Sequence, residues 1–414
     1  MVNEMEEVNF RLYVHLTHWV QRLLSAKNRE RIEILLFVAA SHLLLLFFLL
    51  HTSFISAGGQ GGCLEQFLPH SKTPDNLQDE RLHLLRIQIL PDAEAADWIL
   101  STGPISSYSV GISSYNTTRA VYQPDPSLSF IYTPQKSLLA LLEHADALQP
   151  DVTMDTLYLP RKSQCFELRW FNGLSLWRWI RDRVIGYDTI VKNQLSKHFG
   201  AKGFFMREDN RVIVDMSYGV FNPDSAAQSW LRLLVLKIKI FHTSLFLFLV
   251  ITALVAFVLM ETQKRVFTFA TLFQNRQQLQ IPVANLVVTF FAQSLVFPPI
   301  LLGMLFFLFE LCKDRLLAFG VMAIMWVGES FSVIIVRTRL SQTFFPPLFF
   351  CLFTLFHIYI FSFPFGFSYM ALGATSVLLL QLMLFFWNCF EIPALNRGEI
   401  SRIYPREQLF YPAF

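Results

Sequence analysis

Charge is scarce in this chain. Asp, Glu, Lys and Arg make up 16% of 414 residues, against 53% hydrophobic ones, where an ordinary soluble domain carries about 25% charged residues. Dense basic clusters are absent as well: Lys and Arg are spread out or flank apolar runs, and the net charge is only +3, which excludes a nucleic-acid footprint. There is no nucleophile elbow, metal-ligand cluster, phosphate loop or dinucleotide fingerprint. No catalytic residue, metal or cofactor is therefore expected, and the chain reads as a non-enzyme. Internal repeats of the kind that build many transporters are also missing.

What the chain has in quantity is apolar length. Phe alone occurs 43 times and the mean hydropathy is +0.42. A helical span needs about 20 apolar residues, and one such run covers 34–55. The mostly polar stretch 56–232 follows, and then a nearly continuous apolar region from 241 to 390. That region divides into spans at 241–260, 282–309, 316–336, 344–363 and 369–390. Lys237 and Lys239 can snorkel at the start of span two, Pro298-Pro299 should kink span three, and Pro364-Phe365-Gly366 makes a short turn between the last two. The predicted fold is an α-helical polytopic membrane protein of about six spans, with a mainly β (α+β) domain inserted between spans one and two. Its parts are an N-terminal tail 1–33 with an amphipathic helix, span one at 34–55, the inserted domain 56–232, a five-span bundle 233–390 and a tail 391–414.

Positive charge near the span ends sets orientation. Arg11, Arg22, Lys27, Arg29 and Arg31 precede span one, Lys264, Arg265 and Arg276 follow span two, Arg337 and Arg339 follow span four, and Arg397, Arg402 and Arg406 follow span six. The opposite short loops offer only Lys313 and Arg315. Both termini are expected in the cytosol and the insert in the lumen or outside the cell. Span one is longer than the usual h-region of about 7–15 residues, which points to an uncleaved anchor; cleavage after Ile55-Ser56-Ala57 is the alternative. On the cytosolic side, Leu12, Leu16, Trp19 and Leu23 share a helical face beside Arg11 and Arg22, as in a helix lying in the headgroup region. Val266, Phe269, Ala270 and Phe273 suggest a second amphipathic segment.

Alternation over 82–89 and 152–159 predicts strands, with weaker strands at 128–132 and 212–215 and helices at 138–148 and 177–194. Cys63 and Cys165 fall in the insert, where an oxidising lumen permits a bridge; two buried thiols are the alternative. Closing a loop of about 100 residues contributes up to about 4.7 kcal/mol in the chain-entropy picture. Asn116-Thr117-Thr118 is a glycosylation sequon on the expected lumenal side.

Among polar residues, Glu329 stands out because it lies inside span four, where an acidic side chain costs on the order of 2.5–3.5 kcal/mol on insertion scales. It is a candidate proton, substrate or client-recognition site, or else a carboxyl bonded across helices to His357, Gln293 or Gln381. His357 and Gln381 are read as intramembrane polar groups that either assist such recognition or make packing hydrogen bonds. His15 and His18 lack a third metal ligand, and Asp151 and Asp155 fit a solvated strand face.

Several separated motifs carry a family resemblance. They are Cys63-Leu64-Glu65, Gln164-Cys165-Phe166, Gly186-Tyr187-Asp188 with Ile190, Lys202-Gly203-Phe204 and Glu391-Ile392-Pro393-Ala394-Leu395. In this order, with one span before the insert and a cluster after it, the chain resembles the membralin family of endoplasmic reticulum membrane proteins. The resemblance implies a multi-pass protein of that membrane that helps degrade membrane-protein clients beside a membrane-bound RING ubiquitin ligase. It also implies pairing of Cys63 with Cys165 and an acidic residue in the span of Glu329. Familiar animal members continue into a long Pro/Ala-rich cytosolic tail after the last span, which is not expected here. The expected partners are the ligase with its associated degradation factors, the clients and the bilayer. The competing expectation is a transporter or channel that uses Glu329.

Overall fold

In the computed structural model, residues 2–55, 83–90, 105–109, 128–136, 153–161, 166, 175–199, 203–216, 230–279, 282, 284–311 and 314–400 are described. Cys63, Asn116, Asp151, Cys165 and the helix expected over 138–148 lie outside them. The chain divides into two compact units, one of Met1–Leu45, Val235–Tyr359 and Ser368–Phe414, the other of Leu46–Leu234 and Ile360–Phe367.

Six stretches are long and apolar enough to cross a membrane: Ala26–Phe54, Leu234–Val266, Ala284–Glu310, Arg315–Ile334, Arg339–Ser362 and Ser368–Asn396. The chain is thus a multi-pass membrane protein, and each expected span has its counterpart. Its helices are α1 (Val2–Leu23), α2 (Ala26–Leu50), α3 (Ser175–Ile180), α4 (Tyr187–Phe199), α5 (Trp230–Gln278), α6 (Ala284–Ser294), α7 (Phe297–Leu311), α8 (Arg315–Ile334), α9 (Arg339–Ser362), α10 (Ser368–Phe386) and α11 (Ile392–Asn396). Span three is broken at Leu295–Val296, and Pro298 and Pro299 then occupy the first turn of α7. There a missing N–H costs nothing, because that turn's donors have no intrahelical acceptor. The second amphipathic segment is not a separate element. It continues α5 without interruption, and Phe269 packs on Phe290 of α6 at 4.4 Å between ring centroids.

Aromatic side chains build the core of the membrane unit. Phe248 of α5 meets Phe349, Phe350 and Phe353 of α9. Phe331 of α8 lies 4.9 Å from Phe345. Gly328 lets the Phe349 ring approach so closely that a Cβ there would sit 2.5 Å from it. The pairs 331 with 345 and 328 with 349 show that α8 and α9 run antiparallel, as their four-residue connection 335–338 requires.

The second unit holds a six-stranded sheet, β1 (His83–Leu90), β2 (Ile105–Ser109), β3 (Ser129–Thr133), β4 (Thr153–Pro160), β5 (Phe204–Arg207) and β6 (Ile213–Asp215), in the order β2-β4-β1-β3-β5-β6. β1 and β4 are parallel, with Leu85 opposite Asp155, and every other pairing is antiparallel. The expected strands are present. β2 escaped the sequence reading because Ile-Ser-Ser-Tyr-Ser is too polar to alternate, and β5 because four residues are too few to show a period. Helix α4 buries Ile190, Val191 and Leu195 completely, and its Asn193 donates to the Phe365 carbonyl. Gly203, at φ 94°, adopts a conformation that side chains disfavour, and a Cβ there would lie 2.7 Å from the Thr133 carbonyl. That is a physical reason for glycine in Lys202-Gly203-Phe204.

Candidate functional site

The residues singled out in the sequence do not converge. Glu329 lies on α8, five residues before the helix ends, half-buried and without a hydrogen bond among the described residues. His357 is fully buried on α9, with Nδ1 2.8 Å from the Phe353 carbonyl and its ring 4.2 Å from that of Phe353. The α8–α9 register places Gly328 level with Phe349, and His357 is eight residues further along, about 12 Å in depth at 1.5 Å per residue. The bond to His357, one of the three alternatives for a structural role of Glu329, is therefore absent among the described residues. Gln293 is exposed, and it is its backbone carbonyl that accepts, from Arg265 Nη1 at 2.5 Å. Gln381, on α10, is half-buried and makes no hydrogen bond among the described residues. A carboxylate this far along a span therefore has no internal partner in the described part of the bundle.

A different carboxylate organises the unit. Past α10 the helix widens into a π-helical turn, Trp387–Glu391, which rotates the following side chains out of the α register. Pro393 then starts α11, in the helix's opening turn. The result is a Glu391 side chain with no exposed surface. Its Oε1 accepts from the backbone N–H groups of Arg337 and Thr338, both at 3.0 Å, and from Thr338 Oγ1 at 2.9 Å. These donors sit at the start of α9, where N–H groups have no intrahelical acceptor and the helix dipole favours an anion. Thr338 also caps α9 itself, with Oγ1 2.8 Å from Ser341 Oγ and accepting the Ser341 N–H at 3.4 Å. Glu391 Oε2 is buried and has no hydrogen-bond partner among the described residues.

Helix α1 closes this centre. Tyr13, fully buried, donates its hydroxyl to the Glu391 carbonyl at 2.9 Å. Burial pushes that hydroxyl's pKa up, and the Glu391 charge pushes it further against the opposing Arg337. Arg337 is 1% exposed, and its guanidinium carbon stands 5.5 Å from the ring centres of both Phe10 and Tyr13, within cation–π range. Thr17 Oγ1 accepts from Trp387 Nε1 at 3.3 Å, and Gln21 Nε2 donates to Asn396 Oδ1 at 3.2 Å. Asn388 Nδ2 donates to Glu33 at the start of span one, at 2.9 Å. Arg337, counted above as a surface charge at a span end, is instead an interior residue, and Arg339 alone of that pair is exposed.

This arrangement is a clasp that ties the N-terminal helix, the α8–α9 connection and the end of span six. No group of three His, Cys, Asp or Glu residues that could hold a metal occurs among the described residues. Sequence reasoning quoted Glu391 only within Glu391-Ile392-Pro393-Ala394-Leu395. The local signal was an acid directly between an apolar run and a proline, which is indistinguishable from a solvated flank charge until α1 is seen to cover it.

Among proteins of known sequence, a membralin-like protein of Arabidopsis thaliana is 35% identical over 274 residues, 66% of this chain. The aligned region is 42% of that relative, so the chain spans about two fifths of the length of the curated relative it matches. No family profile matches the chain, and neither does a solved structure.

Proposed function

We propose, from the premise that this chain belongs to the membralin family, that it is a non-enzymatic adaptor in the degradation of membrane-protein clients at the endoplasmic reticulum. It acts there beside a membrane-bound RING ubiquitin ligase and its associated factors. Both termini lie in the cytosol, which puts the sheet unit in the lumen, where Cys63–Cys165 bridging and Asn116 glycosylation belong. Family membership carries the reading.

The part played by this chain's residues is recognition inside the bilayer. A client span with unsatisfied polar groups is costly in lipid. Glu329 is half-exposed and has no internal hydrogen bond among the described residues, so it offers such a span a partner without giving one up. His357 and Gln381, at other levels of the bundle, add polar groups for recognition or packing.

The test is a turnover comparison of membrane proteins in cells with the parent protein, with Glu329→Leu and with none. Removing the protein lengthens the half-lives of a subset of endoplasmic reticulum clients, and Glu329→Leu lengthens only those with polar spans. Unchanged half-lives in all three, together with solute flux in reconstituted vesicles that Glu329→Leu abolishes, would move the assignment to a transporter or channel.

A further inference from the structure

Charge positions on α5 fix where the bilayer ends along it. Residues 240–260 hold no Asp, Glu, Lys or Arg, with Lys239 on one side and Glu261 on the other. As helix they measure about 31 Å at 1.5 Å per residue, which matches the thickness of a hydrocarbon core. Glu261 and Arg265, an ion pair at 3.1 Å, and the exposed Lys264 therefore stand at the edge of that core or just past it. Helix α5 nevertheless runs on without a break to Gln278, about 20 Å beyond Arg265.

The chain then doubles back along this extension. Arg276 Nη1 donates to the Pro282 carbonyl at 3.4 Å, and Phe269 packs on Phe290. At the base, Arg265 Nη1 donates to the Gln293 carbonyl, and its guanidinium carbon stands 4.8 Å from the centre of the Phe297 ring. Each step forward on α5 is matched by a step back toward α7, so 266–296 is an antiparallel helical hairpin. Its base is level with Arg265. Hydropathy counts α6 into a span from Ala284 to Glu310. A crossing over that range would carry Gln293, and Arg265 with it, about 14 Å into the core, where a charged side chain is costly.

The surface of the hairpin suits the boundary between acyl chains and headgroups. Helix α6 buries no side chain among the described residues. Val288, Phe291 and Leu295 share one face at helical spacing, and they are 67%, 66% and 69% exposed. Exposed apolar side chains continue into α7 at Leu302 and Phe306. Between 266 and 296 the sequence holds a single charged residue, Arg276, which lies near the tip.

We propose that this hairpin is an arm docked on the lipid bilayer, standing outside the hydrocarbon core with Val288, Phe291 and Leu295 seated at the headgroup–acyl boundary and its tip in water. Only the stretch from Leu295 to Leu311 then makes the third crossing, at about 25 Å a short one, which local thinning of the bilayer accommodates. Lipid is the occupant because the exposed stripe is continuous with the apolar surface of α7 and α6 carries no charge, as in helices held at the membrane boundary by their apolar face. The arm goes beyond the degradation reading and does not rest on it.

Depth measurement in a bilayer tests the arm. Full-length protein in dioleoylphosphatidylcholine vesicles would carry one nitroxide at a time, on a ketone-bearing amino acid at position 275, 288, 291 or 306, with depth read from power saturation by oxygen and by a nickel chelate. The label at Asn275 should read as water, those at Val288 and Phe291 as the boundary, and that at Phe306 as the deepest, about 13 Å further in than Phe297. A label at Phe291 deeper than that at Phe306, the order required by a crossing from Ala284 to Glu310, would overturn the proposal. Labels at Val288 and Phe291 that read as water would overturn it too, by leaving the stripe to a protein partner. All four sites are exposed, and an unfolding temperature equal to the parent's shows that each labelled chain keeps its fold.

Discussion

Two acidic regions of the membrane unit show how differently a carboxylate can be held. Around Glu391, three donors converge on one oxygen, an aromatic helix closes over the group, and a buried arginine lies nearby. Around Glu329 there is no donor among the described residues, and the side chain remains half-exposed on a helix that passes through apolar surroundings. Burial without compensation is expensive; the fully buried Glu391 has its Oε1 met by three donors, whereas Glu329, with none among the described residues, keeps an open side. The first arrangement stabilises the protein; the second leaves a polar group available to something outside it.

The sharpest way to break this contrast is Glu391→Ala. It strands two buried backbone N–H groups, each worth about 1–3 kcal/mol, so the loss should be roughly 2–6 kcal/mol, read as a fall in the unfolding temperature of the full chain in detergent. Glu391→Gln keeps an acceptor oxygen and should recover part of it. If Glu391→Ala unfolds like the parent, the clasp does not stabilise the unit. Thr338→Val removes one donor to Glu391 and the cap of α9, and should cost about 1–2 kcal/mol by the same measurement.

Tyr13→Phe deletes a single hydroxyl bond and should cost about 0.5–1.5 kcal/mol. It carries a pH signature too. Burial raises the Tyr13 pKa above that of an unfolded-chain tyrosine, near 10. The unfolded state therefore ionises first, and stability present below pH 10 is lost as pH climbs beyond it. Tyr13→Phe should flatten that alkaline decline in an unfolding series from pH 8 to 11; an unaltered decline would place it elsewhere. The smallest stability effect belongs to Glu329→Gln, within about 0.5 kcal/mol of the parent. A loss as large as that of Glu391→Ala would mean that Glu329 has a structural partner after all and would erase the contrast.

Much of the architecture was legible because its causes are local. Apolar length alone marks the six spans, and the proline pair announces the break in span three. Alternation marked β1 and β4, whereas β2 is too polar and β5 too short to show a period. Glu329 was conspicuous for the same local reason, as an acid within an apolar run. Whether it had a partner across helices was not readable: for His357, one of the three candidates, that depends on the α8–α9 register, which Gly328 meeting Phe349 and Phe331 meeting Phe345 set.

The sequence by itself determined that this protein crosses the membrane repeatedly, where each span falls and that α1 is amphipathic, because hydrophobic length and helical period are properties of contiguous residues. Tertiary structure alone decided that Glu391 and Arg337 are interior, that Tyr13 bonds to a residue 378 positions away, and which face of α1 packs against the end of span six. A charge beside an apolar run looks the same in sequence whether water or protein covers it, and only the packing of distant segments settles which one does.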